Sequence, residues 1–191
     1  MQARLTRMAG RGRLARMLAR MARGRRGSAA VEFAMIAFPF LALIMGILEI
    51  SIFFLVSTTL DNATADIARQ IRTGQLQTAG GATASSFASS ICGELSWLGS
   101  SCAANLHVDV RTFSTFTGIT QPSPISGGVL NTSSLQFTPG AAGDIVLVRA
   151  FYQWTLFTPA LDGITASMNG GSTLITSTTV FKNEPYVTAA T

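Results

Sequence analysis

The sequence is poor in the residues from which catalytic and metal sites are built. It has one histidine and two cysteines, and no CxxC or HxxxH spacing that is typical of zinc ligands. The phosphate-binding pattern GxxxxGK and the GxSxG pattern of serine hydrolases are also missing. His107 and Asp109 could form an acid–base pair, but two polar residues on the solvent face of a strand are the better explanation. We therefore expect no catalytic residue, no metal and no cofactor, and a protein that is not an enzyme.

Charged residues are scarce and unevenly placed. They make up 12% of the chain, and nine of the fourteen basic residues are arginines within the first 27 positions, where no acidic residue occurs. The rest of the chain has five basic against nine acidic residues. It offers no basic surface from which nucleic-acid binding could be argued.

A long apolar segment follows the arginines, from Ser28 to Val56, and Glu32 and Glu49 are its only charged residues. It exceeds the roughly 20 residues that a helix needs to cross a bilayer. It is also longer than the apolar core of a cleaved secretory signal, which has about 7–15 residues. Because arginines precede the span, the N-terminus is expected in the cytoplasm and the C-terminal part outside. We predict a basic leader over 1–27 and a retained anchor to about residue 56.

The helical pattern continues beyond the apolar segment. Apolar residues recur at steps of three and four while charged residues face elsewhere, which predicts one long helix over 28–73. Arg69 and Arg72 in the last turn, with Gly74 just after it, suit a helix C-terminus. The predicted apolar stripe consists of Val56, Leu60, Ala63, Ile67 and Ile71.

The second half of the chain predicts a small sheet. Residues 74–90 are small and polar and predict a linker or a loose helix, and residues 91–191 an exported domain. Three stretches rich in β-branched and aromatic residues predict antiparallel strands, the middle one central because it is apolar almost throughout. They are Leu106–Phe113, Asp144–Phe157 and Ser172–Phe181. The fold class is therefore α+β, a long N-terminal transmembrane helix followed by a small antiparallel sheet.

In the first of these strands, polar and apolar residues alternate. Val108 and Val110 point to one face, and Asp109 and Arg111 to the other. This pattern predicts a face of the sheet that is open to water.

The junction between the arginines and the apolar segment is the most specific motif, RGRRG followed by SAAVEF. A glycine at the membrane surface lets a protease approach the backbone, and the arginines hold that site in the cytoplasm. Cleavage after Gly27 would leave Ser28 with a free amine and Glu32 about one helical turn away. In apolar surroundings such a carboxylate needs a charged or hydrogen-bonding partner. Alternatively, Glu32 is a boundary carboxylate that reaches the headgroups.

This junction resembles the processing site of type IV pilin-like proteins, in which a prepilin peptidase cuts after a glycine and the fifth mature residue is glutamate. The segment GSAAVEFAMIAFPFLALIMGILEISIFF, with PGAAGDIVLVRAFYQW and FKNEPY further on, is similar to TadE-type minor pseudopilins of tight-adherence (Flp) pilus systems. The similarity extends from Gly27 to Tyr186. The N-terminal motif is shared with TadF and TadG-like proteins, and the short exported domain argues against the larger TadG type.

The resemblance implies a structural part in pilus assembly and cell adhesion. The expected partners are a prepilin peptidase, the major Flp pilin, other minor pseudopilins and the inner-membrane assembly machinery. It also implies a single-pass protein of the bacterial inner membrane with a periplasmic C-terminal domain, which could enter the pilus. Glu32 would pair with the N-terminal amine of a neighbouring subunit and set the axial register.

Two other functions stay open at this point. One is a plain bitopic envelope protein with an uncleaved leader and a periplasmic domain that binds a partner. The other is a secreted enzyme that begins beyond Val56.

The two cysteines, Cys92 and Cys102, lie in the part expected to be exported. Because that compartment is oxidising, we predict a disulfide between them, with two free thiols as the alternative. Glu49 is predicted near the opposite bilayer face from Glu32, where a carboxylate costs little.

Overall fold

The computed structural model describes residues 25–80, 82–158 and 162–186. The predicted leader therefore lies outside the described residues except for its last three positions. The α+β fold class is confirmed, because a long apolar helix precedes a small antiparallel sheet. The chain divides into two compact units, one ending at Ile47 and one beginning at Leu48.

Five α-helices occur in the described residues, and the first is by far the longest. Helix α1 has 48 residues and contains the whole apolar segment. The helices are α1 (Arg25–Arg72), α2 (Gln75–Thr78), α3 (Ala84–Glu94), α4 (Ser100–Asn105) and α5 (Asp162–Thr165).

The predicted stripe on the second half of α1 is confirmed as the helix's contribution to the core. Its five residues are at most 7% exposed, while Asp61 and Asp66 on the same helix are exposed. A fully buried valine, leucine or isoleucine contributes about 1.5–3 kcal/mol. The stripe therefore holds this part of α1 against the sheet.

The segment that follows the last strand packs against the C-terminal end of α1. Gly74 has the left-handed conformation expected of a glycine after a helix, with φ 77°. A side chain at Gly74 would also collide with the ring of Tyr186. Arg72 forms an ion pair with Glu184 at 2.8 Å, and its carbonyl accepts the N–H of Glu184.

The main sheet has three strands and the predicted arrangement. Strand β4 (Ile145–Thr155) lies between β1 (Leu106–Phe113) and β5 (Ser172–Lys182), and both pairings are antiparallel. The central place of β4 follows from its apolar residues on both faces. A second, two-stranded sheet, β2 (Ile125–Ser126) and β3 (Val129–Leu130), lies in the long connection between β1 and β4.

The segment predicted as a linker contains α2 and most of α3. Thr83 and Ser86 form a reciprocal capping box at the start of α3. Phe87 and Ile91, four positions apart, are both buried in the core. This apolar pair holds the helix to the domain although its other residues are small and polar.

The predicted disulfide is present. Cys92 and Cys102 are bonded, with a Cα–Cα distance of 5.7 Å. The bond joins α3 to α4, and Cys102 is fully buried. It closes a short loop next to the start of β1, which by the chain-entropy estimate contributes about 3 kcal/mol.

The prediction of a wet face on β1 is wrong. Asp109 has no exposed surface, and Arg149, directly opposite it on β4, is 3% exposed. Their ion pair measures 2.6 Å, and Arg111 adds a second one at 2.9 Å. Asp109 also accepts the N–H of Gln136, and Arg149 donates to the carbonyl of Pro122. The connection between β1 and β4 thus covers this face and shields the charges.

The environment of Asp109 stabilises its ionised form. Burial by itself would raise the pKa of this carboxyl group, but hydrogen bonds from Arg111, Arg149 and the Gln136 N–H, and the charge of Arg149, outweigh burial. The pKa of Asp109 therefore lies below its ordinary value. His107, its neighbour on β1, has a pKa lowered by burial.

Replacing Asp109 by asparagine should destabilise the domain by about 3–5 kcal/mol, because the buried guanidinium of Arg149 loses its anionic partner. The measurement is chemical denaturation of the full chain in detergent. Asp61→Asn, on the exposed side of α1, is the matched control and should change stability by less than about 0.5 kcal/mol.

The same variant should alter the response to acid. A carboxyl group whose pKa is lowered in the folded state stabilises that state above its ordinary pKa, and this contribution is lost as pH falls through the folded value. Asp109→Asn should therefore flatten the acid limb of the stability profile. An unchanged profile and unchanged stability would contradict the role assigned to this ion pair.

Candidate functional site

The first half of α1 is apolar on all sides. Within the described residues, Ala29–Arg72 is one helix long and apolar enough to cross a membrane, and only 11% of its most apolar window is buried. The core helix of a soluble domain would instead be mostly buried. The exposed side chains of α1 include Phe33, Met35, Ile36, Phe38, Phe40 and Leu41. These features are consistent with a single-pass membrane protein.

The predicted processing site lies at the start of this helix. Because α1 begins at Arg25, Gly27 and Ser28 fall within its first turn. Glu32 lies about one turn further on, and its side chain is exposed. Cleavage after Gly27 and a register function of Glu32 stay predictions.

The second carboxylate of the apolar segment has a different environment. Glu49 is 1% exposed, although it lies in a helix whose neighbouring residues Leu48 and Ile50 are half exposed. One of its oxygens accepts the N–H of Phe157 at 2.8 Å, and the other accepts the N–H of Thr158 at 2.9 Å. We call these two hydrogen bonds the Glu49 clamp.

The clamp joins α1 to the chain just after β4. The N–H groups of Phe157 and Thr158 follow the last residue of the strand, Thr155, and would otherwise need another acceptor. Hydrogen bonds to a charged acceptor are worth about 1.5–3 kcal/mol each. Glu49 therefore defines where the C-terminal unit begins to pack on the helix, and Val56, two turns later, is already fully buried.

Sequence reasoning missed both buried carboxylates. The burial of Glu49 was missed because its backbone partners leave no trace in the residue types of positions 157 and 158. Asp109 and Arg149 did carry a signal, because opposite charges lie on two strands predicted to be neighbours. The described residues contain no group of three or more His, Cys, Asp and Glu side chains that could hold a metal.

The arrangement defines a class of protein: one membrane-length helix that continues without a break into a small α+β domain. Residues 27–69 match the family model described as TadE-like protein. This match confirms the resemblance over most of α1 and is consistent with a TadE-like protein of tight-adherence (Flp) pilus systems. No curated protein and no solved structure matches the chain.

Replacing Glu49 by glutamine should weaken the clamp, since an amide has one acceptor oxygen and leaves one N–H of Phe157 or Thr158 without a partner. A buried unsatisfied N–H costs about 1–3 kcal/mol. The amides of Phe157 and Thr158 should therefore exchange with solvent roughly tenfold faster or more, as measured by hydrogen exchange in detergent.

Glu94→Gln, an exposed carboxylate at the end of α3, is the control and should leave the exchange of these amides unchanged. Equal protection of Phe157 and Thr158 in the wild type and Glu49→Gln would show that the clamp does not hold this segment.

Proposed function

We propose that the chain is a structural, non-enzymatic minor pseudopilin-like component of tight-adherence pilus assembly. The observation that carries this proposal is the TadE-like match over residues 27–69, which includes the glycine–serine junction, Glu32 and Glu49. A prepilin peptidase would cut after Gly27 and leave Ser28 as the mature N-terminus.

The membrane span would be residues 28–48. These 21 positions measure about 31 Å as a helix, close to the roughly 30 Å of a bilayer's hydrocarbon core. The expected end of the span near Val56 would place residues that are packed in the core, such as Val56 itself, within the bilayer. Glu49 and its clamp would then stand at the membrane surface.

The orientation in the membrane follows from features on either side of the proposed span. Nine arginines before residue 28 favour a cytoplasmic N-terminus. The Cys92–Cys102 disulfide favours an oxidising compartment for the domain. A single pass through the bacterial inner membrane, with the domain in the periplasm, satisfies both.

Assembly would proceed through the exposed half of α1. Small residues on it let a second helix approach closely, and a Cβ at Gly46 would meet no atom within 4 Å. Glu32, exposed on the same half, would accept the N-terminal amine of a neighbouring subunit and set the axial register. The major pilin and other minor pseudopilins are the partners of such a contact. The small residues are Ala34, Ala37, Ala42 and Gly46.

Mass spectrometry of the membrane-extracted protein should find an N-terminus at Ser28 when the prepilin peptidase is present, and an intact leader when it is absent. Gly27→Val should block cleavage, because a branched side chain hinders close approach to the backbone. Gly46→Val is the matched control and should be cleaved normally. An intact leader under both conditions would favour the plain bitopic envelope protein, and a start beyond Val56 would contradict both functions.

Glu32→Gln should be cleaved but should lose its cross-links to the major pilin, because an amide cannot form an ion pair with the neighbouring amine. Cross-linking in intact membranes, followed by mass spectrometry, measures this. Asp66→Asn removes an exposed carboxylate from the other half of α1 and should cross-link like the wild type. Equal cross-linking of Glu32→Gln and wild type would rule out Glu32 as the register residue.

A further inference from the structure

Aromatic side chains cluster where the Glu49 clamp holds the domain to α1. The ring of Trp154 lies edge-on to Phe157 at 6.3 Å and 6.4 Å from Tyr152. Trp97, from the turn between α3 and α4, lines the same cleft as Trp154. The cluster is fixed to the clamp because Phe157 donates its N–H to Glu49.

Two of these rings are open to the surroundings. Trp97 is 49% exposed and Phe157 is 47% exposed, whereas Phe87 and Phe151 elsewhere in the domain are buried. The segments that present the two rings, residues 95–106 and 150–158, contain no charged residue. Two half-exposed aromatic rings on segments without charge are suited to contact with another phase or molecule.

The position of the cluster along the chain identifies that contact. The domain begins at Leu48, and the proposed span ends there. The surface of the domain next to Glu49 is therefore the one from which the chain enters the bilayer. Tryptophan and tyrosine prefer the interface between the hydrocarbon and water, where an apolar ring and a polar atom are both accommodated.

We infer that Trp97 and Phe157, supported by Trp154, form an interfacial aromatic surface that lies in the lipid headgroup region of the bilayer. The inference rests on the proposed span of α1 and is independent of the pilus function. Because the surface has no charge, zwitterionic lipid suffices and anionic lipid should add nothing.

The chain offers a direct test, because Trp97 and Trp154 are its only tryptophans. The full-length protein is reconstituted in phosphatidylcholine vesicles whose acyl chains carry bromine, a contact quencher of tryptophan, either near the headgroup or near the chain end. Tryptophan emission should fall, and more with the shallow bromine than with the deep one. Trp97→Phe, at a half-exposed position, should abolish the larger part of this loss. Addition of phosphatidylglycerol should not change the result.

A tryptophan at the other end of the sheet provides the matched control. Val180 is exposed on β5, seven residues beyond the partner of Trp154, which is about 23 Å along the strand. The double variant Trp97→Phe/Val180→Trp restores the number of tryptophans and should not restore quenching by lipid.

The outcomes separate the inference from the proposed span. If alkaline carbonate extracts the protein from the vesicles, α1 does not span the bilayer. The proposed span and the inference are then both wrong. Inserted protein in which Trp97 is quenched by aqueous iodide but not by lipid overturns the inference alone. Shielding of Trp97 from both quenchers would mean that a second protein surface covers it, and this also overturns the inference.

Discussion

The fold depends on the attachment of the sheet along one face of a single helix. Between Glu49 and Arg72 the helix measures about 35 Å, and the eleven residues of β4 measure about 36 Å as a strand. The two elements therefore match in length. Both ends of this part of α1 are bonded to the domain. Glu49 accepts hydrogen bonds from the segment after β4, and Arg72 pairs with Glu184 after β5. The apolar stripe of α1 fills the space between them.

The attachment begins within the apolar segment of α1. Glu49 is buried and bonded to the chain after β4, whereas Ile50, Phe54 and Leu55, further along α1, are more than half exposed.

The elements could be predicted from the sequence because their signals are local. Strand β1 has its predicted bounds, and the stripe of α1 follows the period of three and four residues. Helix α3 was predicted only as a linker or loose helix, since Phe87 and Ile91 are its only large apolar residues. The opposite charges on β1 and β4 carried a signal for pairing, but their burial could not be predicted, because alternation in β1 does not tell whether Asp109 meets water or the connection that covers it. Tertiary structure decides that question, and it also decides the partners of Glu49.

The two carboxylates of the apolar segment illustrate how position separates two functions of one residue type. Both of Glu49's oxygens accept hydrogen bonds from its own domain, so the burial of this carboxylate is compensated within one chain. Glu32 lies on the exposed surface of α1, in the half that makes up the proposed span. Under the proposed function, a positive charge from another subunit would stabilise a carboxylate at this position, since little water competes in the bilayer. Glu49 therefore attaches α1 to its own domain, whereas a role of Glu32 between subunits belongs to the proposed function and stays a prediction.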